Sequence, residues 1–305
     1  MLEPAKMGDS GGVMERVAIE TRNGTFSALQ GGAAGAPRLH FAHATGMHAG
    51  LYARLLAPLA DRFRITATDA RGHGASPEGH GGSPGGPVGD LVEWEAFAAD
   101  TLAVIDATDP GVPWLLAGHS LGGSTSLLAA VLRPERVAGL ILLDPPFIPF
   151  AIARAAAAAG TAIPNPMADQ AGRRRADFPD VATARAAWHG RGVFRNWRDD
   201  DLEAYLADGL RDTADGVTLA CTPAWEAATF RGVSHRIEAA LAALDCPFAL
   251  VAGETGSTVP PAEFALMAAH PRCTGAERLA GTTHFVPLEC GDAVRAAIDR
   301  VAAAV

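Results

Sequence analysis

The chain has 305 residues, 49% hydrophobic and 19% charged, enough apolar material for one large core domain or a core domain carrying an insertion. Twenty-five basic against 34 acidic residues leave a formal net charge of −9, which excludes a general basic footprint for a nucleic-acid backbone. Lys6 is the only lysine, so Schiff-base or lysine-nucleophile chemistry is not expected.

In chain order, residues 13–28 alternate as two short strands joined at Asn23-Gly24. A loop over 31–35 leads into a buried strand at 38–42. Residues 48–60 predict a helix with Leu51, Leu55, Leu56 and Leu59 as its apolar stripe. Strand character returns at 63–68, and a Gly/Pro-rich loop fills 71–90, long for a mere connection. A helix is expected over 91–105, a strand at 113–117, a helix beyond Ser120 and a buried strand at 137–143.

From 147 to 240 the rhythm changes to helical stretches rich in aromatics, with no strand expected. It resumes with a strand at 247–253, a helix at 261–269, a short strand near 276–280 and a closing helix at 292–304. Apolar strands alternating with helices predict an α/β fold with a mostly parallel sheet covered on both faces. The expected division is a core in two parts, 13–146 and 241–305, interrupted by a helical insertion over 147–240.

Cys221, Cys246, Cys273 and Cys290 are too widely spaced for a zinc set or redox pair, so no metal and no cofactor is expected. Residues 1–12 lack the pattern of a secretory leader, and the apolar block 151–163 is too short to span a bilayer. A soluble, cytoplasmic protein is expected, with no membrane partner and no nucleic acid; self-association into a homo-oligomer is left open.

Gly118-His119-Ser120-Leu121-Gly122-Gly123 has the G-x-S-x-G pattern, with a predicted strand before it and a helix after it. A turn this sharp leaves no room for Cβ atoms at its glycines and lifts the serine oxygen out of the sheet. Three further segments stand at related places: His43-Ala44-Thr45-Gly46 after the third strand, Asp69-Ala70-Arg71-Gly72-His73-Gly74-Ala75-Ser76 after the fourth, and Gly281-Thr282-Thr283-His284-Phe285 before the last helix. On these motifs the chain resembles the α/β-hydrolase fold superfamily, in its serine hydrolases with a helical cap.

The resemblance implies Ser120 as nucleophile, His284 as general base, and the backbone N–H groups of Thr45 and Leu121 as oxyanion donors. Ala44 stands where relatives usually carry glycine, which predicts a slightly narrowed site. Among ten histidines, His284 alone sits in a loop between the last strand and the last helix. His119 is expected to pack away from the nucleophile, and His73 to be structural. His80, His189, His235 and His270 carry no supporting pattern. The acid departs from the commoner family arrangement, because Gly253-Glu254-Thr255-Gly256 has glycine where an aspartate is usual. A second family arrangement puts the acid at the end of the sixth strand, where Asp144 stands; Glu254 is the alternative.

Candidate pocket residues are His43, Met47, His48, Trp188, Trp225 and Phe285; Phe194, Trp197 and Phe230 are further aromatics available to a lining. The chemistry expected is hydrolysis of small carboxylic esters through an acyl-enzyme, the partner being a small-molecule ester or related acyl compound. A cofactor-free perhydrolase, a lactonase or a carbon–carbon bond hydrolase would use the same residues. An idle member of the fold, binding a ligand or a partner, is the alternative from another class.

Overall fold

The computed structural model describes residues 13–78, 93–161 and 163–305. Residues 1–12, which carry Lys6 and the leader reading, lie outside the described residues, as does 79–92, with His80, most of the Gly/Pro-rich loop and the first expected residues of the 91–105 helix. The hairpin is built from β1 (Glu15–Thr21) and β2 (Gly24–Gly31), with Thr21 paired to Gly24. Its loop is therefore Arg22-Asn23, one residue earlier than the sequence suggests, because Gly24 (φ 116°) already belongs to the ladder.

β3 (Arg38–Ala42) is followed by a single α-helical turn, α1 (Ala53–Leu56), between 3-10 turns at Ala49–Tyr52 and Ala57–Leu59. Pro58, in the second of these turns, has no N–H for an α-helical bond, so the expected helix is tightened and broken, yet all four stripe leucines are buried. β4 (Arg64–Thr68), α2 (Trp94–Thr108), β5 (Trp114–His119), α3 (Leu121–Leu132) and β6 (Val137–Leu143) follow.

Between β6 and β10 come α4 (Phe150–Ala159), α5 (Pro166–Ala171), β7 (Asp177–Phe178), α6 (Val181–Trp188), α7 (Asp199–Gly209), β8 (Leu210–Thr213), β9 (Gly216–Leu219), α8 (Pro223–Arg231) and α9 (Ile237–Ala243). β7, β9 and β8 form a small antiparallel sheet, so the expectation of an insertion without strands is corrected. Its strands escape hydropathy patterning because β8 is a largely exposed edge, Arg211-Asp212-Thr213, turning at Ala214-Asp215.

β10 (Phe248–Gly253), α10 (Pro261–Ala268), β11 (Cys273–Leu279), α11 (Val286–Glu289) and α12 (Gly291–Ala302) close the chain. The eight-stranded sheet has the order β1-β2-β4-β3-β5-β6-β10-β11, parallel from β4 to β11. Strand side chains alternate between two cores. Leu115, Ala117, Ile141, Leu143, Ala249 and Val251 face the layer holding α7 and α12. Trp114, Leu116, Leu140, Leu142, Phe248 and Leu250 face α2, α3 and α9. α12 buries Val294, Ala297, Ile298 and Val301, one helical stripe. Because β3 lies between β4 and β5, the chain reverses its direction of advance there, and the crevice opens at the carboxyl ends of β3 and β5.

The segment between β6 and β10 is tied to the rest of the chain through α7 and α8, and its side chains join both sheet cores. Arg54 meets Asp201 at 2.7 Å, and Arg16 bridges Asp69 and Asp208. The Trp225 indole donates to the Arg71 carbonyl at 3.0 Å and occupies the space beside Gly72, where a Cβ would stand 2.2 Å from the indole nitrogen. The four cysteines are free thiols. Among the described residues no helix is long and apolar enough to cross a membrane.

Burial lowers the pKa of His40, His73 and His119 to about 3 and of His43 to about 4, and it pushes His48 in the same direction. Unfolding returns these rings to water and an ordinary pKa of 6.5, so below that pH the unfolded chain binds more protons and stability falls. Each ring contributes a slope of about 1.4 kcal/mol per pH unit once the unfolded ring is protonated and the folded one is not. We expect the thermal midpoint to drop steeply from pH 7 to pH 5, with about three to four protons taken up on unfolding at pH 5. A midpoint flat across that range, measured by calorimetry in matched buffers, would contradict burial of the neutral rings.

Candidate active site

Ser120 sits where β5 ends and α3 begins, with φ 53° and ψ −122°. Its N–H donates to the Leu143 carbonyl at 2.9 Å, and its own carbonyl accepts from Gly123 at 2.8 Å. A Cβ on Gly118 would lie 2.2 Å from the Gly122 carbonyl carbon, and one on Gly122 would lie 2.2 Å from the Ala42 oxygen. Glycine at both places is thus a steric requirement of the bend. The Ser120 hydroxyl makes no hydrogen bond among the described residues, and the residue is 7% exposed.

Asp144 ends β6 in the same way, with φ 44°; among the described residues it and Ser120 are the two non-glycine residues at positive φ. The Asp144 carboxylate is fully buried and surrounded by donors. Oδ1 accepts from the Gly253 N–H at 3.0 Å and the Ser257 hydroxyl at 2.6 Å; Oδ2 accepts from the Thr258 N–H at 2.9 Å and from Nδ1 of His284 at 2.5 Å. Burial alone would raise its pKa, but the hydrogen bonds from His284, Ser257 and Thr258 outweigh burial and hold the carboxyl below its usual range. Glu254 is placed elsewhere: its carboxylate accepts from the Gly281 N–H at 2.9 Å and braces the loop that carries His284. The structure brings His284 to Asp144 and leaves Glu254 on the loop's outer side.

The turn after β3 is closed by the Met47 N–H on the Ala44 carbonyl at 3.0 Å. Thr45 is buried at its apex, and its N–H takes no acceptor among the described residues. Leu121 is the first residue of α3, where no intrahelical acceptor exists. Gly46 lies against the Arg174–Glu226 ion pair; a Cβ there would stand 2.5 Å from Glu226 Oε1.

Several expected pocket residues have other work. His43 donates from Nδ1 to the Ala44 carbonyl and accepts the Ala70 N–H at Nε2, both at 2.8 Å, so its ring is spent inside the core. His48 donates from Nε2 to the Tyr205 carbonyl at 3.0 Å, and Met47 is buried in the core. Trp188 packs on Phe178, Phe194 and Tyr205 within the insertion, and Trp225 is locked over Gly72; neither ring is drawn to His284. The aromatic that approaches is Trp197, 5.2 Å from the Phe285 ring. Val193, Asn196 and Trp197 face Thr255, His284 and Phe285 across a cleft of about 260 Å³. Sequence reasoning had no ranking that put Trp197 above its neighbours, and it passed over Ser257 and Thr258. The Ser-Thr pair just beyond the β10 turn was the available signal for donors to a carboxylate.

A mostly parallel sheet with a strained serine at the switch point and a histidine–aspartate pair on the same edge defines an α/β hydrolase. Residues 36–277 match the family model of serine aminopeptidase, S33, and the chain belongs to that hydrolase family. The chain is 27% identical over 229 residues to 2-(acetamidomethylene)succinate hydrolase of Mesorhizobium japonicum, covering 75% of this chain and 74% of that protein. It is 35% identical over 109 residues to pimeloyl-[acyl-carrier protein] methyl ester esterase of Methylococcus capsulatus, covering 35% of this chain and 36% of the relative. Human monoglyceride lipase is 33% identical over 109 residues, 34% of this chain and 33% of the lipase. The chain thus spans about a third of the length of these last two relatives. Among solved structures, E-2-(acetamidomethylene)succinate hydrolase superposes with a TM-score of 0.74 at 23% identity, over 94% of this chain and all of that one, which shows the fold.

Removing the Asp144 carboxylate would leave the Gly253 and Thr258 N–H groups and the Ser257 hydroxyl without their buried acceptor. Asp144→Ala should cost on the order of 3 kcal/mol in urea unfolding, and Glu254→Ala less than about 1 kcal/mol. Equal losses for the two variants would show that the Asp144 cluster is not under load.

Proposed function

We propose that the protein hydrolyses small carboxylic esters through an acyl-enzyme on Ser120. The observation that carries this reading is the buried Asp144 carboxylate on Nδ1 of His284, at the same sheet edge as the strained Ser120. An ionised carboxylate only accepts, so the His284 proton lies on Nδ1 and the Nε2 lone pair is left to act as base. His284 takes the proton of Ser120 as the serine oxygen bonds to the ester carbonyl carbon. The carbonyl oxygen gains negative charge opposite the N–H groups of Thr45 and Leu121. As the carbon–oxygen bond to the alcohol breaks, the alcohol departs with the proton from His284. Water, deprotonated by the same ring, then releases the acid and restores Ser120.

The insertion acts as a cap in this reading, and the cleft between Trp197 and Phe285 receives one limb of the ester. The Trp197 ring offers that limb an apolar wall; its indole N–H is buried and has no partner among the described residues. The names of the esterase and the lipase among the relatives support ester substrates.

Ser120→Ala should lower ester turnover at least about a thousandfold and abolish labelling by a fluorophosphonate probe. Asp144→Asn should cost about a hundredfold to ten-thousandfold, and Glu254→Gln less than about tenfold. Undiminished hydrolysis in Ser120→Ala would sink the reading. A panel of p-nitrophenyl esters separates the aromatics: Trp197→Ala should reduce kcat/KM for long acyl chains more than for acetyl, since lost apolar burial is worth about 25 cal/mol per Å². Trp188→Ala should change all esters alike; the reverse pattern would put the limb elsewhere in the insertion.

A further inference from the structure

Tyr52 and His119 are buried side by side beneath the site, and neither faces a reacting atom in the proposed mechanism. A hydrogen-bond chain runs through them. The Ala44 N–H lies 3.4 Å from the Tyr52 hydroxyl, that hydroxyl lies 2.7 Å from Nδ1 of His119, and Nε2 of the same ring lies 2.8 Å from the backbone carbonyl of His284. Chemistry fixes its direction. A carbonyl only accepts, so Nε2 of His119 carries the proton; the neutral ring then presents its lone pair at Nδ1, and the Tyr52 hydroxyl must donate there. The phenolic oxygen keeps its acceptor site for Ala44.

The surroundings keep the ring neutral. Burial is the main cause of the lowered His119 pKa and the neighbouring His284 ring pushes it the same way; the hydrogen bond to the His284 carbonyl and the Asp144 charge oppose them, and His43 adds a smaller downward push. The His119 and His284 rings are 4.8 Å apart, so a second positive charge on His119 would repel the imidazolium formed on His284.

Ala44 immediately precedes Thr45, and its peptide is held on every side. Its carbonyl accepts from Met47 and from the His43 ring, and its N–H meets Tyr52. The other end of the chain holds the backbone of the base itself. We propose that Tyr52 and His119 are positioning residues that set the spacing between the oxyanion turn after β3 and the histidine loop after β11. This rests on the ester-hydrolase reading. Tyr52 and His119 act on where the oxyanion donors and His284 stand at the moment of attack, where a displacement of about 1 Å costs on the order of a hundredfold in rate.

The test is kinetic and spectroscopic. Tyr52→Phe, which keeps the ring and removes the hydroxyl, should lower kcat about ten- to a hundredfold with KM changed less than about threefold. The pH midpoint of kcat/KM should stay where it is, because the Asp144–His284 pair is untouched. His119→Gln, with an amide donor near the place of Nε2, should retain clearly more activity than His119→Ala. In the wild-type protein, nitrogen-15 NMR of labelled histidine should find His119 protonated at Nε2 only, with no titration from pH 5 to pH 8. A Tyr52→Phe enzyme within twofold of wild-type kcat overturns the proposal, as does a His119 ring protonated at Nδ1. A wild-type protein that neither cleaves esters nor takes up fluorophosphonate overturns the ester-hydrolase reading instead, and the NMR result then still decides the hydrogen-bond chain.

Discussion

Much of the site depends on one buried carboxylate. Asp144 sits at the end of a strand with no exposure, where an unpaired ionised group would be expelled from the fold or protonated. It stays ionised because donors reach it from three directions: the end of β10 through Gly253, the following turn through Ser257 and Thr258, and the late loop through His284. The charge therefore organises its surroundings. Thr258 returns a second bond to the Asp144 carbonyl at 2.7 Å, and the Asp144 N–H is held by Val251 at 2.7 Å, so side chain and backbone are fixed together.

That anchoring makes the backbone strain at positive φ tolerable. Such a conformation costs on the order of 1–3 kcal/mol and persists only where the neighbourhood overdetermines it. At Asp144 the carboxylate cluster does this. At Ser120 the Leu143 carbonyl, the first turn of α3 and the close approach of Gly118, Gly122 and Ala42 do it. The two bends are linked, since Leu143 holds Ser120 and directly precedes Asp144. A disturbance at the end of β6 is thus felt at both.

The sequence made legible what is dictated by local sterics and by periodicity. Apart from the broken helix at 48–60, the core strands and helices recur within a few residues of expectation, because their side chains have both sheet faces to satisfy. The glycines at 118 and 122 announce a bend whatever follows. Asp144 stood out as the partner for His284 because Gly256 removed the commoner place for an acid, and the structure brings the two side chains together. What was not legible depends on long-range packing. The β7-β9-β8 sheet is short and its β8 edge is exposed, so the alternation of Val217 and Leu219 in β9 is too brief to mark a strand. Trp188, Trp197 and Trp225 are chemically alike, and only the docking of the insertion separates the one beside Phe285 from the ones spent on Phe194 and on Gly72. Tyr52 lies 67 positions from the ring it holds, a pairing that no spacing rule encodes.

The same distinction explains which histidine is free to act. The neighbourhood is crowded with imidazoles: His40, His43, His48, His73 and His119 are all buried, and burial lowers the pKa of each. In His43 and His119 both ring nitrogens are also committed, one as donor to a carbonyl and the other as acceptor. A ring in that state cannot gain a proton without losing a bond and cannot reach a substrate. His284 differs in both respects. Its side chain keeps 19% exposure, and its charged form has a carboxylate waiting at Nδ1. In the proposed mechanism solvation, and not the count of histidines along the chain, therefore selects the base: the core holds the five buried rings as neutral struts, and the carboxyl edge of the sheet leaves His284 partly exposed with a counter-charge at Nδ1.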